Sequence, residues 1–403
     1  MRQSIRVTVA ALALAIGAHD ASAQEKWHWM ADGVVFTTVN HQDSDRGETQ
    51  FRSQNWIMGS GSRKVGPGQL FVSAMMSFEP MTVTERGYSE LFQMGESYNG
   101  LENIDRQHPH DFFSQLAAGW RAELGSHAAI TFFGAPQGEA TIGPVAFMHR
   151  LSASENPTAP LGHHTFDATH IAQGVVGMGV DAGPFTLEGS AFHGREPDQF
   201  RYGVTPGDLD SWASRLWFRK GGWVAQASYG YLHAPEQLEP GNIKKATGSV
   251  TWTRERVDNA ISVTAMYGRN KKTYTDLPAF LTEALGRVGR TSIYTRIELL
   301  DIATEHLLFP TVVHKPHPGE LIDRLNAYTV GAVRNVYSPK WFQLGLGGDV
   351  TFYNVPARLH TFYGENPYAL HVFARIRPGG GPFMRMWNMT MTQPMRHSGI
   401  TVR

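Results

Sequence analysis

The sequence predicts an all-β fold, a transmembrane antiparallel β-barrel of about sixteen strands (roughly 12–18) with long extracellular loops. Three observations predict this fold. The chain opens on an apolar export signal, it contains many short segments in which apolar and polar side chains alternate, and tight turns alternate along it with much longer loops.

The export signal lies in the first 23 residues. Arg2 and Arg6 precede an uncharged apolar run over 7–18, and Ala21-Ser22-Ala23 forms an A-x-A cleavage site. The run is too short to span a bilayer as a helix, and no other stretch is long enough. We therefore predict a signal peptide over 1–23, an outer-membrane barrel over 24–377 and a Met-rich tail over 378–403.

The alternation has a period of two, as in β-strands. It is clearest over 223–231, 246–253 and 342–352, where one set of side chains is apolar and the other is small or polar. Because a membrane strand must be apolar where it meets lipid, charges on the opposite face predict a wet lumen. The charged members of the polar set are Arg121, Glu123, Glu188, Arg296, Glu298 and Asp349.

Turn residues predict how the strands are joined. Tight turns are predicted at 125–126, 181–184, 219–222, 257–259 and 338–340, and long loops at 79–111, 135–170, 194–210, 269–290 and 310–324. A further strand is predicted over 303–309, and the last one over 369–376. A soluble sandwich or propeller also alternates, but interfacial girdles favour a barrel. The aromatic residues suited to a girdle are Trp120, Trp223, Trp252 and Trp341.

The composition limits the classes of partner that the chain is expected to bind. Acidic and basic residues balance at 36 each, which argues against a nucleic-acid surface. The chain has no cysteine, so neither disulfides nor thiolate metal sites are available. The expected partners are outer-membrane lipid and small solutes or ions. The oligomeric state stays open, because no interface is identifiable.

Histidines cluster in the predicted loops and predict a metal site for a divalent or copper ion, since imidazole with carboxylate suits zinc, copper or nickel. A third cluster follows at 314–320. The alternative is that these side chains hydrogen-bond the loops into a plug or constriction. The predicted ligands are His108, His110, Asp111, His163, His164, Asp167 and His170.

The leading functional hypothesis is a passive or gated outer-membrane channel with a polar lumen. Its loops would line or brace a constriction. The residues predicted for that role are Arg106, His149, Arg150, His193, Arg195, Glu196 and Asp198. A copper- or zinc-binding outer-membrane protein is the first alternative. The methionines of the tail are compatible with a Cu(I) site, but they favour a flexible terminus or a last strand with methionine outward; they are Met384, Met386, Met389, Met391 and Met395.

An outer-membrane lipid or ester hydrolase is the second alternative. Ser152 and Ser154 follow His149, but the sequence has neither a G-x-S-x-G nor an H-E-x-x-H motif. We therefore assign no catalytic residue and no organic cofactor, and expect no enzyme activity.

Three motifs resemble those of an uncharacterised family of Gram-negative outer-membrane barrel proteins. They are HPHD at 108–111, GHHxxDxxH at 162–170 and GREPD at 194–198, and the similarity covers about residues 100–200 and, weakly, 366–378. The resemblance implies the location and the fold, and an association with copper or heavy-metal handling. It implies no substrate.

Overall fold

The computed structural model describes residues 26–205, 207–256, 258–309, 313–379 and 387–393, without the side chain of His170. The predicted signal peptide lies outside the described residues, as do Met384, Met386 and Met395 of the tail.

The described chain is dominated by sixteen long strands that form one closed antiparallel barrel, as predicted. Each strand pairs with the next along the chain, and β16 closes the barrel on β1 from Val35↔Ile376 to Asp43↔Tyr368. The strands are β1 (His28–Asp43), β2 (Asn55–Val65), β3 (Gly68–Met76), β4 (Phe113–Glu123), β5 (Ala128–Gly138), β6 (Ala172–Ala182), β7 (Phe185–His193), β8 (Ser211–Lys220), β9 (Trp223–Leu232), β10 (Ile243–Glu255), β11 (Asn259–Lys271), β12 (Asp276–Val288), β13 (Thr291–Ala303), β14 (Ile322–Tyr337), β15 (Phe342–Asn354) and β16 (Tyr368–Pro378).

The two ends of the barrel differ. At the short-turn end the connections have two to four residues, and Gly183 and Gly221 take φ of +57° and +58°, which suits tight hairpins. At the long-loop end the connections are 44–54, 77–112, 139–171, 194–210, 233–242, 272–275, 304–321 and 355–367. All except 272–275 are much longer than a hairpin turn.

Short elements order the long loops. The helices are α1 (Glu79–Thr82), α2 (His163–Phe166), α3 (Thr304–Leu308) and α4 (His360–Tyr363), with 3-10 turns at Phe147–His149, Leu151–Ala153, Ala168–His170 and Ala357–Leu359. Thr49–Arg52 pairs with the outer half of β1, Tyr88–Ser89 pairs with Arg106–Gln107, and Glu96–Tyr98 pairs with Leu101–Asn103. Within the described ranges, every helix is too short or too polar to cross a bilayer.

The outside of the barrel is apolar. Large side chains such as Val176, Met178 and Val180 on β6 point outward and are more than 40% exposed, which is a poor surface for water. Trp223, Trp252 and Trp341 lie at the short-turn end, as the predicted girdle requires. A second set of exposed aromatics lies toward the long-loop end: Trp212, Tyr229, Tyr267, Tyr328 and Phe352.

Two sequence predictions about elements were wrong. Residues 269–290 were predicted as a loop, but they contain the whole of β12, which was missed because its inner face mixes large apolar side chains with Glu283. Leu281 and Leu285 point inward and pack in clusters with Phe166 and Leu151 of the 139–171 loop. The segment 303–309, predicted as a strand, forms α3 instead.

Candidate functional site

The loop that joins β5 to β6, residues 139–171, folds into the barrel instead of projecting away from it, and we call it the inner loop. Most of its side chains are buried. Ser152 donates to Glu283 Oε1 of β12 at 2.8 Å and shares a 2.7 Å hydrogen bond with Thr264 of β11. The barrel wall therefore holds this loop through specific polar contacts.

Arg150 is the central anchor of the inner loop. Its guanidinium is 1% exposed and contacts Glu283 Oε1 of the wall at 2.7 Å and Asp167 Oδ2 of the loop at 2.6 Å. It also donates to the carbonyl of Val145 at 2.7 Å. Because a buried charge must be paired and hydrogen-bonded, this arginine fixes both halves of the loop to the wall.

Glu155 anchors the inner loop deeper in the barrel. Its carboxylate pairs with Arg375 and lies 3.0 Å from Arg377 Nη2, both on β16 near the short-turn end. Arg296 of β13 donates to the carbonyl of Thr158 at 3.2 Å. The loop thus reaches from the long-loop end across most of the height of the lumen.

The two predicted histidine motifs converge. The rings of His108 and His164 lie 5.8 Å apart, those of His163 and His164 5.6 Å apart, and those of His108 and His110 6.4 Å apart. The motifs come from different loops, 77–112 and 139–171. The structure therefore brings most of the predicted metal ligands into one cluster, at the top of the inner loop.

Each histidine of the cluster already has a carboxylate partner. His108 Nε2 lies 2.9 Å from Glu96 and His110 Nδ1 2.8 Å from Glu79. His163 Nδ1 lies 2.6 Å from Asp167. His164 Nδ1 lies 3.2 Å from Glu196. These contacts fit the bracing alternative, since each imidazole holds one loop segment to another.

Asp111 lines one small cavity with the imidazoles, but its hydrogen bonds go to other side chains. Its carboxylate accepts hydrogen bonds from Gln137 Nε2 at 2.7 Å and from Arg201 Nη1 at 3.3 Å, and Arg201 also pairs with Glu96. Burial raises the pKa of Asp111 to about 7 in spite of the nearby Arg201 guanidinium. No motif in the sequence points to Glu79, Glu96 or Arg201. The two glutamates lie well before their histidine partners in the same 77–112 loop, and Arg201 lies in the 194–210 loop.

The residues predicted for the constriction lie in different parts of the structure. Arg106 pairs with Glu48, and His149 lies edge-on against Trp56 with the ring centroids 4.8 Å apart. His193 Nδ1 lies 3.1 Å from the carbonyl of Asp208. Asp198 accepts hydrogen bonds from the backbone N–H of Phe200 and the hydroxyl of Thr205, both in its own loop, and Arg195 is exposed. Arg150 and His149 therefore lie in the lumen, whereas Arg195 and Asp198 belong to the outer loop surface.

Neighbouring imidazoles of the cluster have opposite pKa shifts. Burial lowers the pKa of His108 to about 4, although Glu96 favours the charged ring. Burial also disfavours the charged form of His164, but the Glu196 carboxylate, with Glu236 and Glu96 nearby, outweighs it and raises the pKa to about 9. At neutral pH we expect a neutral ring beside a charged one.

Long-range ¹H–¹⁵N spectra of the ¹⁵N-histidine-labelled barrel test this expectation. His108 should remain neutral at pH 6 and His164 should remain protonated at pH 7.5, with assignments from His108→Gln and His164→Gln. Titration of both cluster rings near the ordinary value of about 6.5 would contradict the assignment.

A cavity of about 130 Å³ lies beside the histidine cluster at the long-loop end, and we call it the mouth cavity. His164 and Glu236 line one side, and Glu102 and His306 line the other. The sequence analysis missed Glu102, Glu236 and His306. Only the positions of three separate loops in the fold bring them to one cavity.

The segment Trp387–Gln393 of the C-terminal tail lies in the lumen beside the inner loop. The N–H of Asn388 donates to the carbonyl of His149 at 3.1 Å, and Thr392 donates to Glu188. Gln393 Nε2 donates to Thr186 at 2.9 Å near the short-turn end. Met389 and Met391 are buried among apolar side chains of the wall and the inner loop.

Comparisons with known proteins agree on the fold. An anion-selective porin from Comamonas acidovorans superposes with a TM-score of 0.55 at 12% identity, covering 87% of this chain and 100% of the porin. OprB from Pseudomonas putida gives 0.53 at 9%, covering 87% and 94%. The L8-deletion mutant of the outer membrane protein OmpT from Vibrio cholerae gives 0.51 at 10%, covering 87% and 99%. No family model and no curated protein matches the sequence.

Proposed function

We propose that this chain is a porin-like channel of the bacterial outer membrane, closed in this conformation by its own inner loop. The observation that carries the proposal is a barrel with an apolar outside and a polar lumen, in which Arg150 and Glu155 fix the inner loop to the wall. The apolar outside, flanked by exposed aromatics, suits the hydrocarbon of a bilayer.

The passage is proposed to be gated. In the described chain the inner loop and Trp387–Gln393 occupy the lumen, so a solute needs both to move or to loosen. The wall beneath them carries charges of both signs, including Glu188, Arg215, Glu283 and Arg296. Such a wall suits small hydrophilic solutes or ions rather than apolar molecules.

Planar-bilayer recording tests the channel. We expect small or rare conductance steps from the full chain and a large, stable conductance when residues 144–166 are replaced by a short Gly-Ser linker. Heat-modifiable electrophoretic mobility shows whether the shortened barrel is folded. Cell fractionation shows whether the native protein is in the outer membrane. A folded, loop-shortened barrel that conducts no current would overturn the proposal.

Metal binding is a second candidate function, favoured by one group of donors. One ligand atom each from His164, Glu196 and Glu236 lies within 4.8 Å of the others. Nε2 of His164 and Oε2 of Glu196 are buried without a hydrogen-bond partner among the described residues. In its widest form this site would also use the other predicted ligands: His108, His110, Asp111, His163, Asp167 and His170.

Titration of the refolded barrel with Zn²⁺ and Cu²⁺ tests this candidate. His164→Ala should weaken binding, and a further loss in His108→Ala or His163→Ala would support the wider site. Binding no tighter than about micromolar in the unsubstituted chain would remove the candidate.

A hydrolase gains no support from the lumen. Ser152 hydrogen-bonds to Glu283 and Thr264, and Ser154 donates to the carbonyl of Leu151. Among the described residues, neither serine is hydrogen-bonded to a histidine that could act as its general base.

A further inference from the structure

We propose that the mouth of the barrel carries a site for a divalent transition-metal ion, formed by Glu102, His306 and His314 with Glu320 beside them. This site lies across the mouth cavity from His164. It does not depend on the channel function, and it takes His314 and Glu320 from the third histidine cluster of the sequence, at 314–320.

Two loops build the site. Glu102 lies on the small hairpin Leu101–Asn103 of the 77–112 loop. His306 lies on α3, and the chain returns to it at His314, whose backbone N–H donates to the carbonyl of Leu238 at 2.9 Å. The two imidazoles are stacked, with ring centroids 3.8 Å apart and planes 30° apart. The fold therefore holds the two rings against each other, beside Glu102.

The donor atoms are close enough for one ion. One atom each from Glu102, His306 and His314 lies within 4.8 Å of the other two. In a tetrahedral zinc site with ligands at about 2.0–2.2 Å, neighbouring donor atoms lie about 3.3–3.5 Å apart. Rotamer adjustments of about 1 Å would close this difference, which is within the reach of loop side chains.

The carboxylates are incompletely satisfied. Glu320 Oε1 lies 3.1 Å from His314 Nε2 and 3.6 Å from His306 Nε2, and His306 Nδ1 lies 2.9 Å from Glu102 Oε1. Oε2 of Glu102 and Oε2 of Glu320 are buried and have no hydrogen-bond partner among the described residues. Buried carboxylate oxygens normally find a donor or a cation. Imidazole contacts alone leave these two oxygens unmet, whereas a shared cation would satisfy them.

The charges around the rings favour a cation. Glu239 Oε2 lies 3.9 Å from His306 Nε2, and it also pairs with Lys272. Glu102, Glu320 and Glu239 thus place three carboxylates around two imidazoles, with one lysine opposing them. A divalent ion would be attracted to this corner of the mouth cavity from the solvent.

The donor types identify the class of ion. Two imidazoles with one or two carboxylates and no thiolate suit Zn²⁺, Cu²⁺ or Ni²⁺, whereas Ca²⁺ and Mg²⁺ prefer sites built from oxygen alone. Two histidines and one carboxylate also leave a position for water, as in open zinc sites. An ion held here would join the 77–112 loop to the 304–321 loop.

The test uses the full mature chain, refolded without a polyhistidine tag, and ZnCl₂ or CuCl₂ as the probe. Competition with a chromophoric chelator gives the affinity, and electron paramagnetic resonance of bound Cu²⁺ reports its nitrogen ligands. We expect His306→Ala and Glu102→Gln each to weaken binding at this site at least tenfold. His306→Ala should also remove one nitrogen from the spectrum.

His317→Ala is the matched control, because His317 lies in the same loop but is exposed and contacts Glu305. This control should bind as the unsubstituted chain does. His164→Ala should leave binding at the site of Glu102, His306 and His314 unchanged. This result would distinguish that site from the group formed by His164, Glu196 and Glu236. Unchanged affinity and spectrum in folded His306→Ala, or equal affinity for Ca²⁺, would overturn the proposal.

Discussion

Replacing Arg150 by methionine should open the barrel. The substitution keeps most of the volume but leaves the carboxylates of Glu283 and Asp167 buried without their main cation. Breaking a buried ion pair by removing one partner costs about 3–5 kcal/mol. If that cost falls on the docked inner loop, the equilibrium between docked and released loop shifts by about two to four orders of magnitude.

Planar-bilayer recording should therefore show frequent, large openings in Arg150→Met. Arg195→Ala is the matched control, because that arginine is exposed on another loop, and it should behave as the unsubstituted chain. Adding Glu283→Gln to Arg150→Met removes one of the unpaired charges, so closure should partly return. A closed, folded Arg150→Met barrel would show that the ion pairs do not hold the loop.

The barrel could be predicted from the sequence because, in most strands, one side is apolar and the other is small or polar. That condition holds for β9, β10 and β15, whose alternation was the clearest. It fails for β12, where Leu281 and Leu285 lie on the inward side with Glu283 and pack against the inner loop. A filled lumen thus hides strands that an open, wet lumen would reveal.

The histidine motifs could be identified in the sequence, but the sequence did not show whether they bind a metal or brace the loops. Whether an imidazole binds a metal or braces a loop depends on its partners. His163 has its partner Asp167 four residues later, but most of the partners lie much farther away in the chain. His110 meets Glu79, His164 meets Glu196, and Arg150 meets Glu283, 133 residues later. Loop conformation decides such pairs, and no local spacing encodes them.

The placement of Trp387–Gln393 also escaped prediction, for a related reason. A segment with Met389 and Met391 could equally be a soft metal site, an outward strand or an inserted peptide. The lumen wall supplies the deciding contacts, through Glu188, Thr186 and the carbonyl of His149. The sequence indicates the methionines but not the pocket that buries them.

Removing the C-terminal segment should open the short-turn end of the lumen. A chain ending at residue 379 keeps β16 and its pairing with β1, so the barrel still closes. It loses every contact of Trp387–Gln393 with the wall and with the inner loop. A chain ending at residue 393 keeps those contacts and serves as the matched control.

A single introduced thiol can report the opening, since the natural chain has no cysteine. Thr131 is 1% exposed and its hydroxyl donates to the carbonyl of Thr392 at 3.4 Å, so Thr131→Cys lies directly beneath the segment. We expect slow maleimide labelling in the full chain and in the chain ending at 393. Labelling should be at least tenfold faster in the chain ending at 379.

Conductance should follow the same order, because the segment and the inner loop support each other where Asn388 meets His149 and where Met389 packs beside Phe147. Release of one therefore weakens the other, and the truncation should also raise the opening frequency. Ser126→Cys lies in an exposed turn at the same end, and its labelling rate is the reference for a thiol in contact with solvent. Equal labelling of Thr131→Cys in all three folded chains would mean that the segment does not close the lumen.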